Sequence, residues 1–254
     1  MPKETNAIPG DISSSAGEYT PATPPGEEFP RGPIVTVDVV LLTLKDEQLQ
    51  VALCKRAEHP FQSAWSLPGG WVHPQEDEDA LEAAVRILRD KAALQSPYLE
   101  QLGAFSGAHR DPRGWAISVA YYAVVPQDLL SAGLHPHIRW APVDTLRSLP
   151  FDHLAMLHTA VQRVRSKTAY SSLPVYLLPK KFTLSRMQAI YEHLIGGALD
   201  KRTFRRWVES LDMVQAVPPD IADTGARHRP AQFFTLKPEF SGKLALTSKA
   251  LDLR

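Results

Sequence analysis

The chain has 254 residues, 44% of them hydrophobic, and its 28 basic and 28 acidic residues give a formal net charge of +0. The hydrophobic content excludes a disordered chain, and the length suits two domains of ordinary size. The neutral balance excludes a uniformly basic coat for nucleic acid, so any DNA contact must come from a local patch.

A flexible tail is predicted for residues 1–33, because seven prolines among Gly, Ser and Thr leave too little apolar surface to fold. The first residues lack the pattern of a signal peptide, and no apolar run approaches the ~20 residues of a membrane span. The single cysteine, Cys54, suits a small buried hydrophobe in a reducing compartment. We expect a cytoplasmic protein with no membrane partner.

A first domain is predicted from residue 34 to residue 170. Its predicted strands are 34–42, 49–54, 103–106 and 116–125, and its predicted helices are 79–94 and 153–168. Leu81, Val85, Leu88 and Ala92 carry the first helix at spacings of four, three and four, and Pro68-Gly69-Gly70 breaks the chain before it. Strands, helix, strands and helix in this order predict an α+β fold, an α/β/α sandwich with a mixed sheet.

A winged helix-turn-helix domain is predicted for residues 171–240. One helix spans 182–195, with Thr183 as its N-cap and two glycines after it, and Asp200 caps a second helix over 201–211. Strands at 214–217 and 232–236 flank a polar loop and form the wing. Residues 241–254 form a C-terminal tail.

Residues 69–94 resemble the Nudix signature, GX5EX7REUXEEXGU, in which U is an aliphatic residue. Aligning Arg86 and Leu88 with the signature puts Glu78 at its first glutamate, with two extra residues in the loop after Gly70. This alignment predicts that Glu78 and Arg86 form a structural ion pair inherited from the fold.

The metal-binding carboxylates of this signature are largely replaced. Nudix enzymes hydrolyse a diphosphate with a divalent metal, which they hold mainly with the three glutamates of REUXEE. Those positions are Ile87, Asp90 and Lys91 here. An ammonium in place of a carboxylate changes the local charge by two units, each worth about 4 kcal/mol at ~4 Å and an effective dielectric of about 20. We therefore predict no catalytic residue, no bound metal and no required cofactor.

A Nudix fold that cannot cleave can still bind a nucleotide. Arginine forks bind diphosphate oxygens, and aromatic faces stack on a base. The predicted ligand-binding residues are Arg56, Trp65, Gly70, Arg86, Arg110, Asp111 and Arg113. Each arginine alone could equally be a solvated surface residue, and Trp65 alone also suits a position in the core. The prediction therefore depends on the convergence of these residues near the glycine turn.

The second helix of the C-terminal domain concentrates positive charge around an apolar stripe of Phe204, Val208 and Leu211. Such a helix suits phosphate contacts and groove reading, although a charged helix surface can also be merely solvated. The predicted DNA-binding residues are Lys201, Arg202, Thr203, Arg205 and Arg206, with Arg227 and Arg229 in the wing loop.

The motifs, in their order along the chain, resemble those of the NrtR family, which are Nudix-related transcriptional regulators. They are the glycine turn, the box with lost glutamates, and the segments 110–115, 151–154, 182–184, 200–206 and 229–232. The resemblance implies a homodimeric repressor of NAD biosynthesis or salvage genes, with double-stranded operator DNA as partner and ADP-ribose as effector. ADP-ribose must then favour one dimer arrangement, with residues 153–168 as the predicted lever.

Two other functions are compatible with the sequence. An ADP-ribose pyrophosphatase with an accessory domain would hydrolyse ADP-ribose in the presence of magnesium and release AMP at enzymatic rates. A nucleotide-sensing adaptor would use its winged helix to bind protein, and strong salt dependence of DNA affinity would count against it.

Overall fold

A computed structural model of the chain describes residues 32–45, 47–96, 98–132, 137–218, 232–247 and 251. The predicted tail over residues 1–33 therefore lies almost wholly outside the described residues. The strands and helices are β1 Ile34–Lys45, β2 Gln48–Lys55, β3 Trp65–Ser66, β4 Gly69–Trp71, α1 Ala80–Ala92, β5 Leu99–Gly107, β6 Ala116–Val124, β7 Ile138–Pro142, α2 His153–Thr168, β8 Phe182–Thr183, α3 Leu184–Ile195, α4 Lys201–Leu211, β9 Val214–Val217 and β10 Phe233–Leu236.

The β-branched strand β1 is the centre of a mixed sheet. It runs parallel to β6, which pairs with β5, and its other edge has two antiparallel partners in succession. Residues 36–38 pair with β4 and residues 42–45 pair with β2. The sheet therefore splits into a fork where the partner of β1 changes from β4 to β2. Strand β7, which sequence reasoning missed, pairs with β2.

Helices cover both faces of this sheet, which confirms the predicted sandwich. Alternate residues of β1 face opposite ways. Val37, Val39 and Leu41 pack with Ile87 of α1, whereas Val40 lies in the core that contains α2.

Helix α1 forms where expected but buries only two of the four residues that predicted it, Leu88 and Ala92. Its N-cap, Asp79, accepts a hydrogen bond from the Glu82 N–H. Leu81 and Val85, which helped to predict the helix, are 43% and 47% exposed. The buried positions are Ala83, Ala84, Ile87, Leu88 and Ala92. Spacing alone revealed the helix, but two apolar rows competed for its inner face, and the row with small alanines fits closely against the sheet.

The C-terminal domain has the predicted helices and wing strands. Thr183 caps α3 and Asp200 caps α4, each accepting a backbone N–H from its own first turn. Phe182 and Thr183 are not helical as predicted, because they pair with β10 in the sheet β8-β10-β9. Residues 219–231, which include the predicted DNA contacts Arg227 and Arg229, lie outside the described residues.

An apolar core continues from the sheet, through α2, into the winged helix. The buried cluster that contains Val40 and Leu157 also contains Tyr191 and Phe204. The predicted C-terminal tail packs on this junction in its described residues, since the Leu251 N–H donates to the Ala169 carbonyl and Ala245 is 7% exposed. Across the described ranges, no helix is long and apolar enough to cross a membrane.

Candidate functional site

A cavity of about 610 Å³ opens at the fork in the sheet. Strands β1, β2 and β4 line it together with the last turn of α1, the loop after β5 and the start of α2. Five predicted ligand-binding residues line this cavity: Arg56, Gly70, Arg110, Asp111 and Arg113. Separate segments of the chain thus bring three arginines to one site.

Arg110 is held among carboxylates in the wall of the cavity. Its guanidinium donates to Asp152 from Nε at 3.1 Å and from Nη2 at 2.9 Å, and Nη2 lies 3.6 Å from Asp38 Oδ2. The Arg110 side chain is only 6% exposed. This cation is therefore fixed in place before any ligand arrives.

Asp38 is a buried carboxylate in the middle of an apolar strand. It accepts a hydrogen bond from Ser118 Oγ at 2.7 Å, and His153 Nε2 lies 3.4 Å from its other oxygen. Burial raises the pKa of Asp38, but His153, Ser118 and Arg110 together more than offset that effect and leave the pKa below its ordinary value. The carboxylate is thus charged and ties β1 to the start of α2.

His153 connects the same cluster to the glycine turn. The Leu67 N–H donates to His153 Nδ1 at 3.1 Å, which leaves Nε2 as the ring nitrogen that faces Asp38. A Cβ atom on Gly69 would lie 1.8 Å from Asp38 Oδ1. Glycine is therefore required at position 69 for the turn to pass this carboxylate.

The two other arginines of the cavity sit beside aromatic rings. Arg113 forms two hydrogen bonds with Asp111, at 3.0 and 2.7 Å, and its guanidinium lies 4.9 Å from the Trp71 ring centroid. The Arg56 guanidinium lies 4.8 Å from the Phe151 ring centroid. Trp71 is 48% exposed, so its ring offers an accessible face at the cavity mouth.

Two of the predicted ligand-binding residues do not line the cavity. Trp65 packs against the core, with the Arg139 guanidinium 4.4 Å from its ring centroid. Arg86 donates to both oxygens of Asp77 at 2.7 Å and to the Trp71 carbonyl at 2.9 Å. Arg86 therefore ties α1 to the segment between β4 and α1, residues 72–79.

The predicted partner of Arg86 was wrong, because its ion pair is with Asp77 and not with Glu78. The hydrogen bonds from Arg86 hold the pKa of Asp77 at about 2, and the His73 N–H also donates to this carboxylate. A motif of fixed spacing cannot anticipate that the neighbouring residue, Asp77, is the one whose carboxylate reaches Arg86.

The residues at the signature's metal positions do not fit a divalent cation. Ile87 is 1% exposed in the core, and Asp90 pairs with Arg89 at 2.8 Å. Lys91 Nζ donates to the Gly69 carbonyl, which places an ammonium on the glycine turn. Across the described part of the chain, no three acidic, histidine or cysteine side chains converge as a metal site would require.

Sequence reasoning did not select Asp38, Asp152 and His153 as site residues, although Asp38 and His153 line the cavity and Asp152 holds Arg110 in its wall. A signal was present for Asp38, because a carboxylate inside an apolar strand must find partners when it is buried. Asp152 and His153 lie about 110 residues further along the chain, so that their proximity to Asp38 depends on the fold.

The basic helix α4 presents its charge away from the core. Phe204, Trp207 and Val208 are buried, whereas all five predicted DNA-binding residues of α4 are exposed: Lys201, Arg202, Thr203, Arg205 and Arg206. Residues two positions apart on a helix lie roughly 200° apart, so Arg202 and Arg206 lie opposite Phe204. These two arginines form the centre of the outward face.

Known proteins share both halves of the chain. The family described as NUDIX domain matches residues 32–162, and the NrtR DNA-binding winged helix domain matches residues 174–236. The ADPR responsive transcriptional repressor NtrR of Acinetobacter baylyi is 35% identical over 206 residues, which are 80% of this chain and 81% of that protein.

Two further relatives bear on the fold and its chemistry. The crystal structure of Shewanella oneidensis NrtR complexed with a 27mer DNA has a TM-score of 0.74 and 33% identity, and the match covers 86% of this chain and 99% of that chain. The ADP-ribose pyrophosphatase of Methanocaldococcus jannaschii is 32% identical over 122 residues, which are 48% of this chain and 69% of that protein. The chain belongs to the NrtR family, in which a Nudix domain is joined to a DNA-binding winged helix.

Proposed function

We propose that this protein is a transcriptional repressor whose winged helix binds operator DNA and whose Nudix domain binds ADP-ribose, or a related nucleotide, without hydrolysing it. One observation carries the proposal: the cavity keeps arginines for a diphosphate, whereas the metal positions hold a buried isoleucine, a paired aspartate and the Lys91 ammonium.

The cavity supports a nucleotide diphosphate as effector. Its volume of about 610 Å³ lies within the range of small-molecule sites, roughly 300–1,000 Å³. Arg56, Arg110 and Arg113 supply planar forks for phosphate oxygens, and the Trp71 ring supplies a stacking face for a base. ADP-ribose combines these two features, and the relative in Acinetobacter baylyi is described as responsive to it.

The outward face of α4 supports DNA as the macromolecular partner. The five predicted DNA-binding residues of α4 are exposed and polar or cationic, and α4 is the second helix of a helix-turn-helix. The relative from Shewanella was crystallised with DNA. We propose that two copies bind as a homodimer to half-sites about 34 Å apart, or a multiple of that distance, in cytoplasmic DNA near genes of NAD metabolism.

The first experiment tests operator binding and its response to the effector. Fragments of the source genome that the protein retains are sequenced, and a labelled duplex from them is titrated by fluorescence anisotropy with and without ADP-ribose. We expect specific binding that weakens with ADP-ribose and with Arg206→Ala, but not with Arg165→Ala, which removes an exposed arginine from α2. Retained fragments without any common site, or equal loss with both variants, would refute DNA recognition by α4.

The second experiment separates a sensor from an enzyme. The pyrophosphatase relative favours hydrolysis of ADP-ribose as the alternative function. Protein is incubated with ADP-ribose and magnesium or manganese, and AMP is measured by chromatography beside a known Nudix hydrolase. We expect ADP-ribose to remain intact. Release of AMP at enzymatic rates, lost in a variant of the cavity such as Arg110→Gln, would establish the alternative.

A further inference from the structure

The N-cap residue of α2 uses its side chain in an unusual way. An aspartate at this position ordinarily accepts a backbone N–H of the first helical turn. Asp152 makes no such side-chain hydrogen bond, although Asp79 and Asp200 do so at the other helices they begin. Its carboxylate is engaged by Arg110 instead. The His153 and Ala155 N–H groups already donate to the Pro150 and Asp152 carbonyls, at 3.3 and 2.9 Å, so the alternative partner of the Asp152 carboxylate is the Leu154 N–H.

A diphosphate in the cavity competes for the same guanidinium. Asp152 accepts from Arg110 Nε and Nη2 at 3.1 and 2.9 Å, and Asp38 Oδ2 lies 3.6 Å from the same Nη2. A phosphate that binds two nitrogens of this guanidinium must therefore use Nη2, which already faces both carboxylates, and compete with one of them. The pair of Arg113 with Asp111 differs, because those two residues lie in one short loop and their separation moves no helix.

Helix α2 continues from Asp152 to the packing of the DNA-binding helix. Its buried face lies in the core that also holds α3 and α4. Just beyond its end, the Ser171 carbonyl accepts a hydrogen bond of 2.9 Å from Tyr191 Oη. The Tyr191 ring contacts Phe204 and Trp207, at centroid distances of 5.4 and 5.2 Å, on the inner side of α4. A shift at the start of α2 thus reaches α4 through packed groups.

We propose that the Arg110–Asp152 ion pair is the switch that couples the cavity to the winged helix: a ligand diphosphate takes Arg110, and Asp152 turns to cap α2. This inference rests on the proposed function, because it requires an effector with a diphosphate. In the free protein the ion pair holds α2 in the arrangement that binds operator. In the bound protein the capped α2 favours the arrangement that does not, and by linkage the two ligands oppose each other equally.

The test is Asp152→Asn in the full chain, because asparagine can still cap a helix but lacks the charge that holds Arg110. Calorimetry without DNA measures ADP-ribose affinity, and anisotropy measures operator affinity with and without ADP-ribose. We expect ADP-ribose to bind about tenfold more tightly, within the range typical of allosteric coupling. We expect ADP-ribose to change operator affinity less than about twofold, against at least about fivefold in the wild type.

Matched variants distinguish a switch from a structural role. Asp152→Glu keeps the charge that pairs with Arg110 but caps a helix poorly, so it should retain operator affinity and respond less to ADP-ribose than the wild type. Asp144→Asn removes an exposed carboxylate close to α2 in sequence and should change neither affinity. An unchanged ADP-ribose affinity together with an unchanged operator response in Asp152→Asn would overturn the inference while leaving the proposed function intact. Wild-type protein that binds no ADP-ribose would overturn both.

A measurement on the wild type needs no variant to fold. Inorganic pyrophosphate carries the diphosphate without a base or sugar, so it should weaken operator binding in the direction of ADP-ribose at matched ionic strength. AMP, which has a base and one phosphate, should change the logarithm of operator affinity less than half as much as pyrophosphate does. Equal effects of AMP and pyrophosphate would show that the diphosphate does not operate the switch.

Discussion

The glycine turn beneath the cavity provides a sharp test of the structure, because its two glycines face different surroundings. A Cβ at position 69 would lie 1.8 Å from Asp38 Oδ1, whereas a Cβ at position 70 meets no atom closer than the Ile87 side chain at 3.7 Å. The first distance demands movement and the second is ordinary contact. Gly69→Ala should therefore be severe, and Gly70→Ala should be tolerated.

The cost of Gly69→Ala follows from what must move. Asp38 cannot swing aside freely, because it is buried and bonded to Ser118 at 2.7 Å with His153 at 3.4 Å. Overpacking a core costs about 1–3 kcal/mol, and a lost hydrogen bond to a charged group costs about 1.5–3 kcal/mol. We expect the free energy of unfolding to fall by about 3–5 kcal/mol.

Urea unfolding followed by circular dichroism measures this cost. With a slope of roughly 2–3 kcal/mol per molar urea, the midpoint of Gly69→Ala should fall by roughly 1–2.5 M, and that of Gly70→Ala by less than about 0.5 M. Calorimetry should show weaker ADP-ribose binding for Gly69→Ala than for the wild type. Equal midpoints for the two variants, or a larger loss at position 70, would refute the described path of the turn past Asp38.

Three further predictions concern the outward face of α4, the ion pair of Asp77 in the loop between β4 and α1, and the hydrogen bond from Tyr191 to Ser171 at the junction of the two domains. Arg206→Ala should reduce the slope of log affinity against log salt by about 0.9, as for one lost phosphate contact. Lys201 lies on the side of α4 nearer the core, so Lys201→Ala should change the slope by less than half of that amount; equal slopes would contradict the assigned face. The pKa of Asp77 is held at about 2, so the stability that this carboxylate contributes is complete above about pH 4 and is lost as the pH falls from about 4 to 2. The difference in unfolding free energy between the wild type and Asp77→Asn should therefore shrink over that window, and a constant difference would exclude the ion pair with Arg86 as its source. Tyr191→Phe removes a donor to the buried Ser171 carbonyl and should lower the free energy of unfolding by about 1–3 kcal/mol without changing the circular dichroism spectrum; a loss below about 0.5 kcal/mol would contradict the bond.

Local sequence signals predicted most of the fold. Caps at Thr183 and Asp200 marked the starts of two helices, because capping depends on residues within one turn. The helix from His153 to Thr168 also has the predicted bounds. Strand β7 was missed because its residues 138–142 have no strong alternation, and its pairing with β2 is set by the sheet rather than by local sequence.

The site was predicted in part, and its omissions share a cause. Arg110 and Arg113 were chosen because arginine suits phosphate, and both line the cavity. Trp65 was chosen for the same kind of reason, but an aromatic residue near a turn packs in the core as readily as on a ligand. Asp38 was omitted although its place inside an apolar strand was a signal, whereas the role of Asp152 depends on Arg110, which only the fold brings near.

The shared apolar core has a consequence for how this protein can be divided. A fragment that ended at residue 170 would lack Tyr176, whose ring stacks at 5.3 Å on Tyr98 of the Nudix domain, and would leave that ring open to water. A fragment limited to residues 174–236, the matched winged helix, would likewise leave Tyr191 without its acceptor at Ser171. Sensor and DNA reader should therefore melt in one transition, and transplanting the sensor to another DNA-binding domain requires rebuilding the surface beneath α2.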